Sequence, residues 1–235
     1  MSPQPHDDAT RAPRRERFLR GVRLGLPIFL GYVPIGMAFG MLARTAGFTL
    51  TQAVACSALV LAGAGQFVAL SLMRTGADIT AILIATGVIN LRYVLFGAAV
   101  SPYLRETGLP IQASLAFSLT DETFAVNISD QREGWADEVS MAGVGAVSWV
   151  GWVGGTLAGA ALGALVGDPN AWGASFAMPA MFTALLVAQA TDHRYVLIGV
   201  VAAVLALALS LVLPGTWCLI GGAVAAATIG AAMFR

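Results

Sequence analysis

Apolar stretches about as long as a lipid bilayer is thick recur along this chain, and they fix its class before any motif is considered. They run over Leu24–Ala43, Leu50–Met73, Ile79–Val100, Leu109–Ile128, Val139–Val166, Ala174–Ala190, Tyr195–Leu213 and Thr216–Phe234, with short polar turns between them. A helix needs about 20 residues to cross the hydrocarbon core, so most of these stretches are long enough. Charged residues make up only 11% of the 235 residues, less than half the roughly 25% of a soluble domain. No single core of this size hides so much apolar surface from water. The expected fold is therefore all-α: a polytopic integral membrane protein of about eight hydrophobic segments, several broken by proline or glycine. The membrane domain is expected over 21–235, behind a polar tail at 1–20.

That tail carries Pro3, Pro5 and Pro13 and opens a run of six arginines, Arg11, Arg14, Arg15, Arg17, Arg20 and Arg23. A basic leader before an apolar run also describes a signal peptide. Here the run is too long for a signal core, contains Pro27 and Pro34, and is followed by no small-residue cleavage site. The tail reads as a retained cytoplasmic segment, disordered before Phe18.

Arginines also orient the chain, because cytoplasmic loops are enriched in them. With eight passes, the six leading arginines share a side with Arg74, Arg132, Arg194 and Arg235, and only Arg44 and Arg105 lie opposite. Both termini are then expected in the cytoplasm. Leu109–Ile128 is the doubtful pass, since Gln112, Ser114, Ser118, Thr120, Asp121, Glu122, Thr123 and Asn127 make it too polar to face lipid. If it does not cross, the later segments invert and the asymmetry falls to seven against five.

Composition narrows the chemistry. The formal net charge of zero says nothing by itself about nucleic acid, because charge is concentrated at the ends and turns; no nucleic-acid partner is expected. Cys56 and Cys218 stand in apolar runs without a second ligand at metal spacing, so both read as small buried hydrophobes. His6 lies in the tail and His193 in a turn, which leaves no Ser–His dyad within the membrane, and there is no H-E-x-x-H or phosphate loop. The chain does not read as an enzyme, and no cofactor or metal is expected.

The polar groups at membrane depth carry the functional signal. In G-Y-V-P-I-G at 31–36, Pro34 removes a backbone donor and Gly36 adds freedom. This is either a simple kink or an unwound stretch whose backbone, with Tyr32 beside it, binds a ligand. In A-G-A-G-Q-F at 62–67, Gly63 and Gly65 allow close approach, and Gln66 needs partners in hydrocarbon. Asn90 and Arg92 sit inside the third apolar run. A central arginine costs roughly 2.5–3.5 kcal/mol on insertion scales, so it must face the interior or a wet cavity and be paired. Either a structural ion pair or recognition of a carboxylate satisfies it. Its obvious partner is in T-D-E-T-F at 120–124, where Asp121 and Glu122, about 100° apart on a helix, point different ways. One is expected to pair with Arg92; the other faces water or an amine, and the pair is a candidate for proton coupling.

Two further patterns are structural. Gly151, Gly155, Gly159, Gly163 and Gly167 recur at every fourth position, a stripe for close helix packing. Trp149 and Trp152 beside it are interfacial anchors or pocket walls. V-P-I-G-M-A-F at 33–39 and M-P-A-M-F at 178–182 form a weak echo. An inverted-repeat transporter would show such a pair, and chance would too.

Together, G-Y-V-P-I-G-M-A-F-G (31–40), A-G-A-G-Q-F (62–67), N-L-R-Y-V-L-F-G (90–97), S-P-Y-L (101–104) and T-D-E-T-F (120–124) resemble the AzlC family. These are large subunits of bacterial branched-chain amino acid exporters. The order and spacing match over about the first 125 residues, and S-W-V-G-W-V-G-G-T (148–156) and F-A-M-P-A-M-F (176–182) extend the match more loosely. The resemblance implies a multi-pass protein of the bacterial inner membrane that exports valine, leucine, isoleucine or similar amino acids. It also implies a small membrane partner of the AzlD type. On that reading Tyr32, Pro34, Gly36, Gly63, Gly65, Gln66, Asn90 and Arg92 contact substrate, Asp121 and Glu122 serve coupling, and Phe67, Phe96, Phe124 or Trp149 line an apolar pocket. A channel for a small polar solute and a non-transporting scaffold are the alternatives.

Overall fold

The computed structural model describes residues 12–134, 137–163, 173, 176, 179–180, 183, 187, 193–212 and 217–233, and no strand occurs among them. The apolar stretch 174–190 and the second copy of the proline echo fall largely outside these residues. The chain groups into two units, Met1–Ala177 and Met178–Arg235.

In the first unit, α1 spans Arg14–Thr45 and α8 spans Glu138–Leu162. Helix α1 starts four residues before Phe18, inside the expected tail, and continues unbroken through Pro27 and Pro34. Of the two readings of 31–36, the unwound stretch is therefore absent. Pro34 is on an exposed side of the helix, where one lost intrahelical bond is tolerated.

Helices α1 and α8 lie side by side and parallel. Gly21 abuts Ser140, Gly25 abuts Val144, Gly40 abuts Thr156 and Ala160, and Gly163 abuts Met41. The contacts are backbone to backbone. A Cβ added at Gly21 would lie 1.9 Å from the Ser140 carbonyl oxygen, and one at Gly159 would lie 2.0 Å from that of Met37. Gly151, Gly155, Gly159 and Gly163 of the glycine stripe therefore do what its spacing implies, with a matching set of glycines on α1 as their counterpart, while Gly167 lies outside the described residues. At their N-terminal ends the two helices are tied by charge. Arg17 pairs with Asp137, which caps α8 through the Val139 and Ser140 amides.

Leu50–Met73, which the sequence presents as one pass, is instead a helical hairpin. Helix α2 (Leu50–Leu59) starts at a Thr49–Gln52 capping box, and α3 (Gly63–Arg74) follows an extended Val60. Gln66 Nε2 donates to Ser57 Oγ at 3.2 Å, a distance that only a fold back at 60–62 allows. Gly63 meets the Trp152 ring, Phe67 meets Phe39 one step further along α1, and Met73 shares a cavity with Phe48 beyond the end of α1. Helix α2 thus descends from the C-terminal end of α1 to its middle, and α3 climbs back.

The next stretch does traverse the unit. Helices α4 (Ile79–Asn90) and α5 (Arg92–Val100) adjoin at Leu91, and a short 3-10 turn, Ser101–Leu104, extends them. Around Leu91 the hydrogen bonds span three residues rather than four (Leu91 N to Val88 O, 3.2 Å; Val94 N to Leu91 O, 3.1 Å), a local tightening.

A second hairpin mirrors the first from the other end. Helix α6 (Leu109–Phe117) brings Leu115 against Val100, Leu104 and Met141, and Ser118 against Gly145. Helix α7 (Asp121–Arg132) begins at a Thr120–Thr123 capping box beside Tyr32 and returns to Arg20, whose guanidinium grips both oxygens of Asp130. Leu109–Ile128 is therefore also two short helices folded back on each other and not one continuous helix. Among the described residues of this unit, three stretches are long and apolar enough to span a bilayer: Arg14–Thr45, Ile79–Leu104 and Glu138–Leu162.

The second unit contains an antiparallel pair, α9 (His193–Ser210) and α10 (Trp217–Met233), in which Gly222 packs on Ala206 and Gly230 on Ile198.

Candidate functional site

Hydrocarbon offers a polar group no partner, so each polar side chain in the middle of the first unit must be met by protein or ligand. Two clusters form there. In the first, Arg92 Nη1 reaches Asp121 Oδ2 at 3.0 Å, and its guanidinium carbon stands 5.3 Å from the Tyr93 ring centre. The N-terminus of α7 favours the two carboxylates that open it. Glu122 points elsewhere, as adjacent helical positions must. Its Oε2 lies 2.6 Å from the Tyr32 hydroxyl, which is also 2.7 Å from Thr120 Oγ1. The phenol has one proton, so it can serve only one of these oxygens at a time. With Arg92, Asp121 and Glu122 ionised, the cluster carries one positive and two negative charges, one negative in excess.

The second cluster surrounds the tip of the α2–α3 hairpin. Gln66 Nε2 donates to Ser57 Oγ and to Cys56 Sγ, while Gln66 Oε1 accepts from Trp152 Nε1 at 3.0 Å. Ser57 Oγ stands 2.8 Å from Thr156 Oγ1, and Trp149 Nε1 donates to the Ala58 carbonyl at 3.1 Å. Gln66 thus fastens the hairpin tip to α8. Trp152, only 1% exposed, is a core ring between Tyr32, Phe39 and Phe67 and not an interfacial anchor.

The glycines of this tip make room for side chains. Gly63 lies under the Trp152 ring, and Gly65 lies against the Asn90 amide, whose atoms would be 3.0 Å from an added Cβ. Asn90 and Arg92, on either side of Leu91, share one property. Asn90 Oδ1 and Arg92 Nε are buried and, among the described residues, have no hydrogen-bond partner. One is an acceptor and the other a donor.

The structure therefore gathers Tyr32, Arg92, Asp121 and Glu122 into one group and Gly63, Gly65, Gln66 and Asn90 into another. It leaves out two expected members. Pro34 is exposed, and Gly36 is spent on helix packing, with the Trp152 carbonyl 2.7 Å from where its Cβ would be. Phe96 stacks on Phe124 at 4.4 Å beside the first cluster, and Phe67 belongs to the Trp152 core. Ser57, Thr156 and Thr120 were not singled out from sequence. Ser57 and Thr156 were visible as hydroxyls in apolar runs, and Thr120 as the head of a capping box.

The AzlC protein family matches residues 27–166, a stretch that includes both clusters. Over 195 residues the chain is 32% identical to the inner membrane protein YgaZ of Escherichia coli (strain K12), covering 80% of this chain and 77% of that protein. It is 34% identical over 172 residues to an uncharacterized membrane protein of Archaeoglobus fulgidus, covering 72% and 74%. It is 28% identical over 172 residues to the branched-chain amino acid transport protein AzlC of Bacillus subtilis (strain 168), covering 70% and 64%. No solved structure matches.

Proposed function

The chain belongs to the AzlC family, and we propose that it exports branched-chain or similar apolar amino acids together with a small AzlD-type membrane subunit. It is a membrane protein of a transport family. The observation that carries the finer reading is the pair of buried, unpartnered atoms flanking Leu91. An amino acid zwitterion brings an ammonium donor for Asn90 Oδ1 and a carboxylate for Arg92 Nε. The excess negative charge beside them favours a bound cation, which is either a proton on Glu122 or Asp121 or the ammonium itself. Tyr32, able to turn its hydroxyl from Glu122 to Thr120, responds to that charge. This makes the carboxylate pair the coupling element.

The deciding experiment is efflux of radiolabelled leucine from cells expressing the chain with and without the partner subunit. Faster efflux with both, lost on adding an uncoupler, is the expected result. Efflux equal to that of empty cells would overturn the reading, and uncoupler-insensitive equilibration would point to a pore.

The proposed topology keeps both termini cytoplasmic and replaces two of the eight passes by re-entrant hairpins, α2–α3 from outside and α6–α7 from inside. Arginine counting cannot separate the two schemes. Of the arginines from Arg11 to Arg132 outside the membrane, each scheme leaves two opposite the N-terminus, and Arg74 and Arg105 merely exchange places. A cysteine at Thr75 should therefore react with an impermeant thiol reagent added outside intact cells, and one at Glu106 should not. The reverse pattern would restore the eight-pass scheme.

A further inference from the structure

A cavity of about 260 Å³ lies between α1, the α2–α3 hairpin and α4. We propose that it is the specificity pocket of the transporter, taking the aliphatic side chain of one amino acid whose ammonium is received by Asn90 Oδ1. The proposal rests on the amino acid transport reading above and adds where the side chain goes and which residues set its size.

The chemistry of the walls selects the ligand. Phe39, Val60, Leu70 and Met73 supply apolar surface, and among the described residues no charged side chain lines the cavity. A charged substrate side chain would lose its water and gain no partner there. Four polar side chains also reach it: Cys56, Gln66, Thr86 and Asn90. Three are already engaged. The Cys56 sulfur accepts from Gln66, the Gln66 amide is held by Ser57 and Trp152, and the Thr86 hydroxyl donates to the Ile82 carbonyl at 2.7 Å. Asn90 Oδ1 is the buried acceptor left without a donor. A buried acceptor on a side chain of the cavity wall is costly unless a ligand brings the proton. An ammonium one carbon away from an aliphatic chain matches both halves of the site at once.

Geometry supports ligand exchange as well. One wall is a hairpin turned at three residues, Val60–Ala62, and not a membrane-long helix. Gly65 and Ala69, four residues apart on α3, are small residues of that wall, as is Ala62 at its turn. Their lack of bulk sets the width, so a larger residue at Ala69 should exclude long side chains first.

The test uses the purified full chain, with its small partner where one co-purifies, and measures thermal stabilisation by alanine, valine, leucine and 4-methylpentanoate, the deaminated analogue of leucine. In the native protein leucine should stabilise most and 4-methylpentanoate little. In Ala69→Leu, leucine affinity should fall roughly tenfold or more while alanine is retained. Thr86→Ile, from the opposite wall, should repeat that pattern if Ala69→Leu does not fold. Asn90→Leu should erase the preference for leucine over 4-methylpentanoate. Leucine efflux by native protein together with unchanged selectivity in both narrowed variants would overturn the pocket and leave the transport reading standing. Native protein that neither binds nor moves any of these amino acids would overturn both.

Discussion

Arg92→Gln is expected to cost more stability alone than in combination with Asp121→Asn. The two side chains meet at 3.0 Å, and both are largely sheltered, 23% and 13% exposed. Removing one charge strands the other in a medium that solvates it poorly, which is the expensive event. Removing both leaves two neutral polar groups that can still hydrogen-bond. The coupling between the substitutions should lie within about 0.5–3 kcal/mol, the range for residues in contact. Transport is a separate readout. The double variant should regain melting temperature without regaining efflux, because Arg92 Nε and the carboxylate at 121 are proposed to act on substrate and coupling ion. Glu122→Gln should add independently to Arg92→Gln and couple instead to Tyr32→Phe, since its partner is the phenol at 2.6 Å. Additive effects of Arg92→Gln and Asp121→Asn on melting, with efflux intact, would show that the pair serves neither fold nor transport.

The pairing was legible in the sequence because depth alone implies it. An arginine inside an apolar run has to be matched, and the nearest candidate carboxylates were two residues that cannot both face it. The glycine stripe was legible for a similar reason, since a four-residue period defines one helix face. Chain reversal was not legible. Hydropathy records how apolar a stretch is and carries no direction, so Leu50–Met73 has the length of a single pass although it turns at Val60. Positive-inside counting is blind to the proposed topology, because two re-entrant hairpins would move one arginine each way. Pro34 left two readings open for a different reason. A proline inside a membrane helix removes one hydrogen bond, but whether the helix opens depends on what surrounds it, and here Gly36 and Gly40 hold the following turns tightly against α8. Trp152 was ambiguous because its environment is set by residues distant in sequence, above all the bare Gly63.

The closest helix contact also gives the sharpest structural contrast, between two neighbouring glycines on α8. Gly154 faces open space, with nothing within 4 Å of an added Cβ, whereas a Cβ at Gly155 would fall 2.4 Å from the Val33 carbonyl oxygen. A methyl group at 154 gains helix propensity, up to about 1 kcal/mol in favour of alanine. The same methyl at 155 meets backbone that cannot rotate away, so α1 and α8 must part along their length. Overpacking of this kind costs about 1–3 kcal/mol and occasionally more. It also opens the neighbouring contacts of Gly36, Gly40 and Gly159, which share the seam. Gly154→Ala should therefore melt at or slightly above the native temperature, and Gly155→Ala several degrees below it. Gly159→Leu should leave little folded protein after extraction in mild detergent. Because Trp152 and Thr156 flank position 155 and hold the hairpin tip, Gly155→Ala should also weaken leucine binding, while Gly154→Ala should not. Equal melting temperatures for the two alanine variants would show that α1 and α8 do not pack through this seam.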